Sequence, residues 1–219
     1  MATTTEPVRG LAPGMRTLLV VAGALVVLAG VQLFLFPLRT ATYFAWTIEP
    51  PMTAVFLGAA YWSSAVFEWT GARSRTWAGA RIAVPTVFVF TTLTLVVTLV
   101  HLERFHLGTG FAASTRAVTW AWLAIYAVVP VLMVVVWVAQ VRVPGVDPAR
   151  RAPLPAWLTV VVAGQAVLFL AVGLVLLLRP GSATWWPWTL TPLTGRAIGA
   201  WGVSLGVAEA HADLEHAAV

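Results

Sequence analysis

Six apolar runs of membrane-spanning length constrain this chain more than any other feature, at 16–36 (RTLLVVAGALVVLAGVQLFLF), 51–70, 82–101, 118–141, 156–178 and 193–209. A bilayer core of about 30 Å takes around 20 apolar residues per helix. Inside hydrocarbon each backbone N–H and C=O must be satisfied within the structure, which a helix does within its own segment. The expectation is an all-α polytopic membrane bundle of six transmembrane helices, with tails at 1–15 and 210–219. Composition agrees, since 60% of the residues are hydrophobic and 10% charged, against roughly 45–50% and 25% in a soluble domain. The first run is longer than the 7–15-residue core of a signal peptide and no small-x-small cleavage site follows it. It is therefore expected to stay in the mature protein.

The basic side chains are thirteen Arg and no Lys, against eight acids. A sequence pI near 11 raises the question of nucleic acid, because clustered positive charge is the footprint of phosphate binding. Here the arginines instead punctuate the apolar runs, so nucleic acid is not an expected partner. Short cytoplasmic loops carry the excess of basic residues. With the N-terminus inside, Arg9, Arg16, Arg73, Arg75, Arg81, Arg142, Arg150 and Arg151 are cytoplasmic, and Arg39, Arg104, Arg116, Arg179 and Arg196 lie outside. Both termini are then cytoplasmic. Trp46, Trp120, Trp122, Trp185, Trp186 and Trp188 gather at the outer ends, and Trp69, Trp77 and Trp157 at the inner ends, where amphipathic rings prefer the headgroup level. The absence of Cys excludes disulfides and thiolate metal sites, and the absence of Lys excludes a Schiff-base cofactor. No cofactor and no metal is expected.

The chain also repeats itself. WTIEPPMTAVFLGAA at 46–60 returns as WTLTPLTGRAIGA at 188–200. Pro51 aligns with Pro192, Thr53 with Thr194, Ala54 with Gly195, Gly58 with Gly199 and Ala59 with Ala200. Both copies enter a helix from the outer side, so the repeat is parallel, with an axis along the membrane normal, and pairs the first and second helices with the fifth and sixth. Either the unit is a helix pair, or the chain is a shortened member of a larger architecture. Proline suits the first helical turn, where its missing N–H costs nothing, and Thr191 is placed as an N-cap. Ala54 and Gly58, Gly195 and Gly199, and Gly202 and Gly206 have the small-xxx-small spacing that lets membrane helices approach closely. The repeated stretch thus reads as an elbow: an aromatic outer loop, a Pro-started helix and a flat packing face.

The WT(I/L)xP elbow followed by FLGAAYW, the LVHLERF ending of the third helix and the IYAVVP of the fourth resemble a group of bacterial multi-pass membrane proteins. The resemblance spans most of 40–140. It implies a bacterial inner-membrane location and carries over no activity.

Ionisable residues in or near a bilayer are functional candidates because they are costly there. Glu49 on the first elbow and Arg196 one turn into the helix after the second are placed to pair, or else to serve as a structural salt bridge and a snorkelling cation. Glu68, with Arg73 and Arg75 close behind, reads as an interfacial ion pair, which leaves no acid at the membrane centre. His101, Glu103 and His106 form the densest set of acid–base groups. Two His at i and i+5 on a helix point roughly 140° apart, unlike the i, i+4 pair of a zinc helix. His211 and His216 repeat the spacing on the opposite side. Thr91, Thr94 and Thr98 make one stripe, whose hydroxyls can bond their own helix's carbonyls.

No hydrolase, kinase or metalloprotease motif is present. The leading expectation is a non-catalytic membrane component that packs with lipid, a second copy of itself or another membrane protein. The alternatives are a small-solute or lipid transporter with a site between the elbows, and a membrane enzyme using the outer His/Glu cluster.

Overall fold

A computed structural model describes residues 6–148 and 155–217, with side chains to residue 212; Arg150, Arg151 and the side chain of His216 lie outside them. The described chain is all-helical, with isolated β-bridges and no strand. Its helices are α1 (Pro13–Leu35), the short α2 (Thr40–Tyr43), α3 (Pro51–Arg73), α4 (Ala83–Val100), α5 (Ala113–Val141), α6 (Ala156–Leu178) and α7 (Pro192–Ala217). Single 3-10 turns follow α1, α4 and α6, at Pro37–Arg39, Leu102–Arg104 and Pro180–Ser182. The last helix runs through the segment expected as a tail from residue 210.

Four helices, α1, α4, α5 and α6, are long and apolar enough to cross a membrane. The two long helices outside that group, α3 and α7, are less apolar: Thr53, Tyr61, Ser63, Ser64 and Glu68 lie on one, Thr194, Arg196, Ser204 and Glu209 on the other. Both are largely interior. Ten residues of α3 are buried, against three of α6, whose Val160 and Val167 are about 70% exposed (72% and 67%). Helices α3 and α7 lie inside together with α4, nine of whose 18 residues are buried, and α6 lies outside, an arrangement suited to an apolar surrounding.

Successive long helices are antiparallel. Phe34 meets Gly58 while Leu19 meets Gly71 across α1 and α3, and Gly173 meets Gly199 while Leu170 meets Gly206 across α6 and α7. These are the two closest hairpins. A Cβ on Gly58 would lie 2.7 Å from the Phe34 nitrogen, and one on Gly199 would lie 2.7 Å from the Leu177 nitrogen and from the Gly173 carbonyl oxygen. Gly202 and Gly206 continue that seam, Gly195 faces Pro180 and Ala54 is fully buried. At the start of α7 the Thr194 N–H donates to Thr191 Oγ1 and the Thr191 N–H to Thr194 Oγ1, a reciprocal cap.

The N-terminal segment is sewn into one end of the bundle. Leu11 donates its N–H to the Arg75 carbonyl and Arg9 to the Val146 carbonyl. The fully buried Gln140 accepts from the Ala12 N–H at 2.7 Å and donates to the Gly10 carbonyl. Arg81 pairs with Asp147 at 3.2 Å. The opposite end holds the two elbows and the 101–112 loop.

Candidate functional site

The elbow end does not assemble as its residue types suggest. Helix α4 stops at Val100, so His101, Glu103 and His106 do not share a helix face. His106 turns inward and is 2% exposed. Its Nδ1 lies 3.0 Å from the Phe44 carbonyl oxygen and its Nε2 3.0 Å from Thr47 Oγ1. The carbonyl can only accept, so Nδ1 carries the proton and Nε2 accepts from the hydroxyl. Burial holds this imidazole below its ordinary pKa, against the Phe44 hydrogen bond. His106 is a tether for the first elbow.

Arg196 does not reach Glu49. Its Nε donates to the Leu177 carbonyl at 3.1 Å and its Nη1 to His101 Nε2 at 2.6 Å. Guanidinium is a donor only, so His101 is neutral with its proton on Nδ1, 4.0 Å from Glu103 Oε1. Burial, then the Arg196 charge, lower the His101 pKa. The expected Glu49–Arg196 pair gives way to a clamp of α7 on α6 and α4, because Arg196 finds acceptors on neighbours nearer to its helix. Glu49 instead lines an open cleft of about 580 Å³ between the elbows, with Thr47, Pro51, Thr189 and Thr191. Among the described residues no group of three His, Asp or Glu side chains could hold a metal.

Three tryptophans assigned to the headgroup belt, Trp46, Trp77 and Trp122, are core. Trp46 and Trp122 stack edge to face at 5.0 Å and join Phe44, Tyr61 and Tyr126. Trp120, Trp157 and Trp185 are exposed, at 62%, 69% and 52%.

The interior holds the group that sequence reasoning misplaced. Glu68 is 3% exposed, its Oε2 has no hydrogen-bond partner, and no ion pair joins it to Arg73 or Arg75 among the described residues. It borders two cavities. One, of about 60 Å³, is lined by α1, α3, α4 and α5 and includes Tyr61, Thr91 and Tyr126. The other, of about 20 Å³, lies between α3, α4 and α7 and includes Ser63, Ser64, Thr86 and Ser204. A third, also about 20 Å³, continues toward the elbows past Tyr61, Thr94, Trp122 and Trp46. Phe90 borders all three. A water molecule needs roughly 10–15 Å³ of such space, so each has room for at least one.

Polar atoms are strung along these cavities. The Tyr61 and Tyr126 hydroxyls are 2.9 Å apart, and Pro130 lacks the N–H that would bond the Tyr126 carbonyl. The α4 threonines divide: Thr91 donates to its i−4 carbonyl, Thr98 accepts from Trp122 Nε1, and Thr94 Oγ1 is buried without a partner, as is Trp46 Nε1. Buried polar atoms are rarely left unsatisfied, and each calls for an explanation. Three of the buried unpartnered atoms, on Glu68, Thr94 and Trp46, border this one series of cavities. The sequence did carry a signal, since Tyr61, Ser64 and Glu68 at i, i+3 and i+7 share one helix face. No protein-family model, curated protein or solved structure matches the chain.

Proposed function

We propose that the protein is a six-span transporter of the bacterial cell membrane, both termini cytoplasmic, that carries protons across the membrane with Glu68 as the proton-carrying group. The observation that carries this reading is the buried carboxyl of Glu68, in no ion pair among the described residues and with Oε2 lacking a hydrogen-bond partner, bordering a series of water-sized cavities. Ionisable residues inside membrane proteins are rare, face the bundle interior and mark ion paths and proton relays. The hydroxyls of Tyr61, Tyr126 and Thr94 extend the polar line from Glu68 toward the elbow end, and a proton can be passed along hydroxyls and water where each group both donates and accepts. The cleft beside Glu49 is the outer vestibule.

The two close hairpins, α1–α3 and α6–α7, are read as parallel copies of one unit flanking α4 and α5, with lipid against the aliphatic faces of α5 and α6. Reporter fusions at residue 145 and at the C-terminus test the threading: both report cytoplasm, and a periplasmic signal at either overturns it.

Transport is tested in vesicles that contain the purified protein and an internal pH dye, with an imposed potassium diffusion potential. Proton uptake exceeds that of empty vesicles, is abolished in Glu68→Gln and persists in Glu103→Gln. Uptake equal to empty vesicles, or unchanged in Glu68→Gln, overturns the reading in favour of a non-catalytic packing component.

A further inference from the structure

We infer that the cavity between α3, α4 and α7 is a binding site for a monovalent metal cation, sodium first, held by Glu68 and four hydroxyl oxygens in competition with the proton. The inference rests on the reading of Glu68 as an ion-carrying group and deepens it.

The argument turns on where the hydroxyl protons go. Ser63 and Ser64 donate to the Ala60 carbonyl at 2.8 and 3.1 Å, Thr86 to the Ile82 carbonyl at 2.8 Å and Ser204 to the Trp201 carbonyl at 2.7 Å. A hydroxyl has one proton and two lone pairs. With each proton committed to its own helix, all four oxygens have only lone pairs left for the cavity that they line with Glu68. The unpartnered Glu68 Oε2 is a further acceptor. Five acceptor oxygens around one small cavity, with the Trp201 indole as the one other polar group of the lining, attract an occupant that brings positive charge or hydrogens. Burying a carboxylate alone is costly, and a close cation or a proton relieves that cost.

Size and charge narrow the occupant. The space, about 20 Å³, is that of one water-sized particle. Hard oxygen ligands select hard cations, and the divalent ones take several carboxylates or keep much of their water. One carboxylate with neutral hydroxyls suits a single charge. The only other titratable groups lining the adjoining space are Tyr61 and Tyr126, and no Arg or His lines either cavity among the described residues. The face of Phe90 borders the site and tolerates a cation.

The test is thermal unfolding of the full chain in detergent, with sodium chloride replacing choline chloride at constant ionic strength. The melting temperature rises with sodium and saturates, as expected for an ion bound only by the folded state. The sodium dependence moves to higher concentration as the pH is lowered. It disappears in Glu68→Gln and weakens roughly tenfold in Ser204→Ala or Thr86→Val, on the scale seen for supporting groups of metal sites. The two hydroxyl variants keep the test informative if Glu68→Gln does not fold. A melting temperature that follows total salt whatever the cation, or equal sodium stabilisation in wild type and variants, overturns the inference. If sodium is without effect while vesicle proton uptake still requires Glu68, the cation site fails and the proton reading stands; if uptake is also independent of Glu68, both fail.

Discussion

The two elbow hairpins share a pattern in sequence and a contact in space, yet only one elbow is built into the protein. In α1–α3 and in α6–α7 the glycine seven residues after the helix-starting proline sits against the backbone nitrogen three residues before the proline of the 3-10 turn: Gly58 on Phe34, Gly199 on Leu177. In the first elbow Phe44, Ala45, Trp46 and Ile48 are at most 3% exposed. Their backbone is held from outside the elbow, by the Thr119 hydroxyl and the His106 N–H on the Ala45 carbonyl and by the Thr115 hydroxyl on the Thr42 carbonyl. The second elbow lies nearer the surface and reaches α3 through the Trp188 Nε1 bond to Thr53 Oγ1 at 2.8 Å and through the Trp186 and Trp188 rings against Phe56. Helix α5 and the 101–112 loop cover the first elbow, whereas α6 is peripheral and nothing comparable covers the second. A shared local pattern sets how closely a hairpin closes; its neighbours decide whether the loop is buried.

The sharpest way to break this comparison is at the shared contact. Gly58→Leu and Gly199→Leu each force backbones apart, and overpacking against a fixed backbone costs about 3 kcal/mol or more. Both variants lose thermal stability in detergent to a similar degree. If one is tolerated, the hairpins are not equivalent.

Next in size is the difference between the elbows. His106→Ala strands the buried Phe44 carbonyl, and an unsatisfied buried group costs roughly 1–3 kcal/mol, while the hydroxyl of the exposed Thr47 turns to water. Trp188→Phe removes one partly buried bond worth about 1 kcal/mol. Hydrogen exchange should therefore rise across 40–48 in the first variant far more than across 180–190 in the second. Equal responses would mean that burial of the first elbow contributes nothing through His106.

A smaller, pH-dependent effect sits at His101, which links α4 to α7. Its pKa is lowered in the folded protein by burial and by Arg196, so the unfolded chain binds its proton more readily. The stability from the neutral ring is present above the unfolded value of about 6.5 and is lost as pH falls through the lowered folded value. Wild type should lose melting temperature below that pH relative to His101→Gln, which keeps an acceptor for Arg196 but cannot protonate. Parallel curves would remove His101 from the clamp.

What could be read from the sequence follows from lipid as a solvent. Apolar runs and helix-starting prolines place α3 and α7 at Pro51 and Pro192, because length and missing N–H groups are local properties. The stripe of Tyr61, Ser64 and Glu68 was legible, but its direction was not. In a soluble helix a polar stripe marks the outside, whereas in α3 it turns to the interior, and the nearby Arg73 and Arg75 suggested a partner that the fold does not supply. His106 was misread because His101 and Glu103 lie beside it in sequence and suggested one set of acid–base groups, whereas its burial depends on an elbow 60 residues earlier (106 − 46) folding over it.

The smallest expected effect concerns the cross-elbow link that the repeat itself suggests. Glu49 and Arg196 lie on the two similar stretches, and a desolvated pair between them would lose several kcal/mol when either partner is removed alone. Arg196, however, spends its donors on Leu177 and His101, and Glu49 faces the open cleft. Glu49→Gln should thus change stability by no more than about 0.5 kcal/mol, as for ordinary surface positions. Arg196→Gln should cost more, through the lost clamp. Sites without a shared partner add to within about 0.5 kcal/mol, so the double variant should equal the sum of the singles in denaturant or thermal unfolding. A coupling well beyond that limit would mean that the two elbows exchange charge across the cleft, and that the second is tied to the first more tightly than through Trp188.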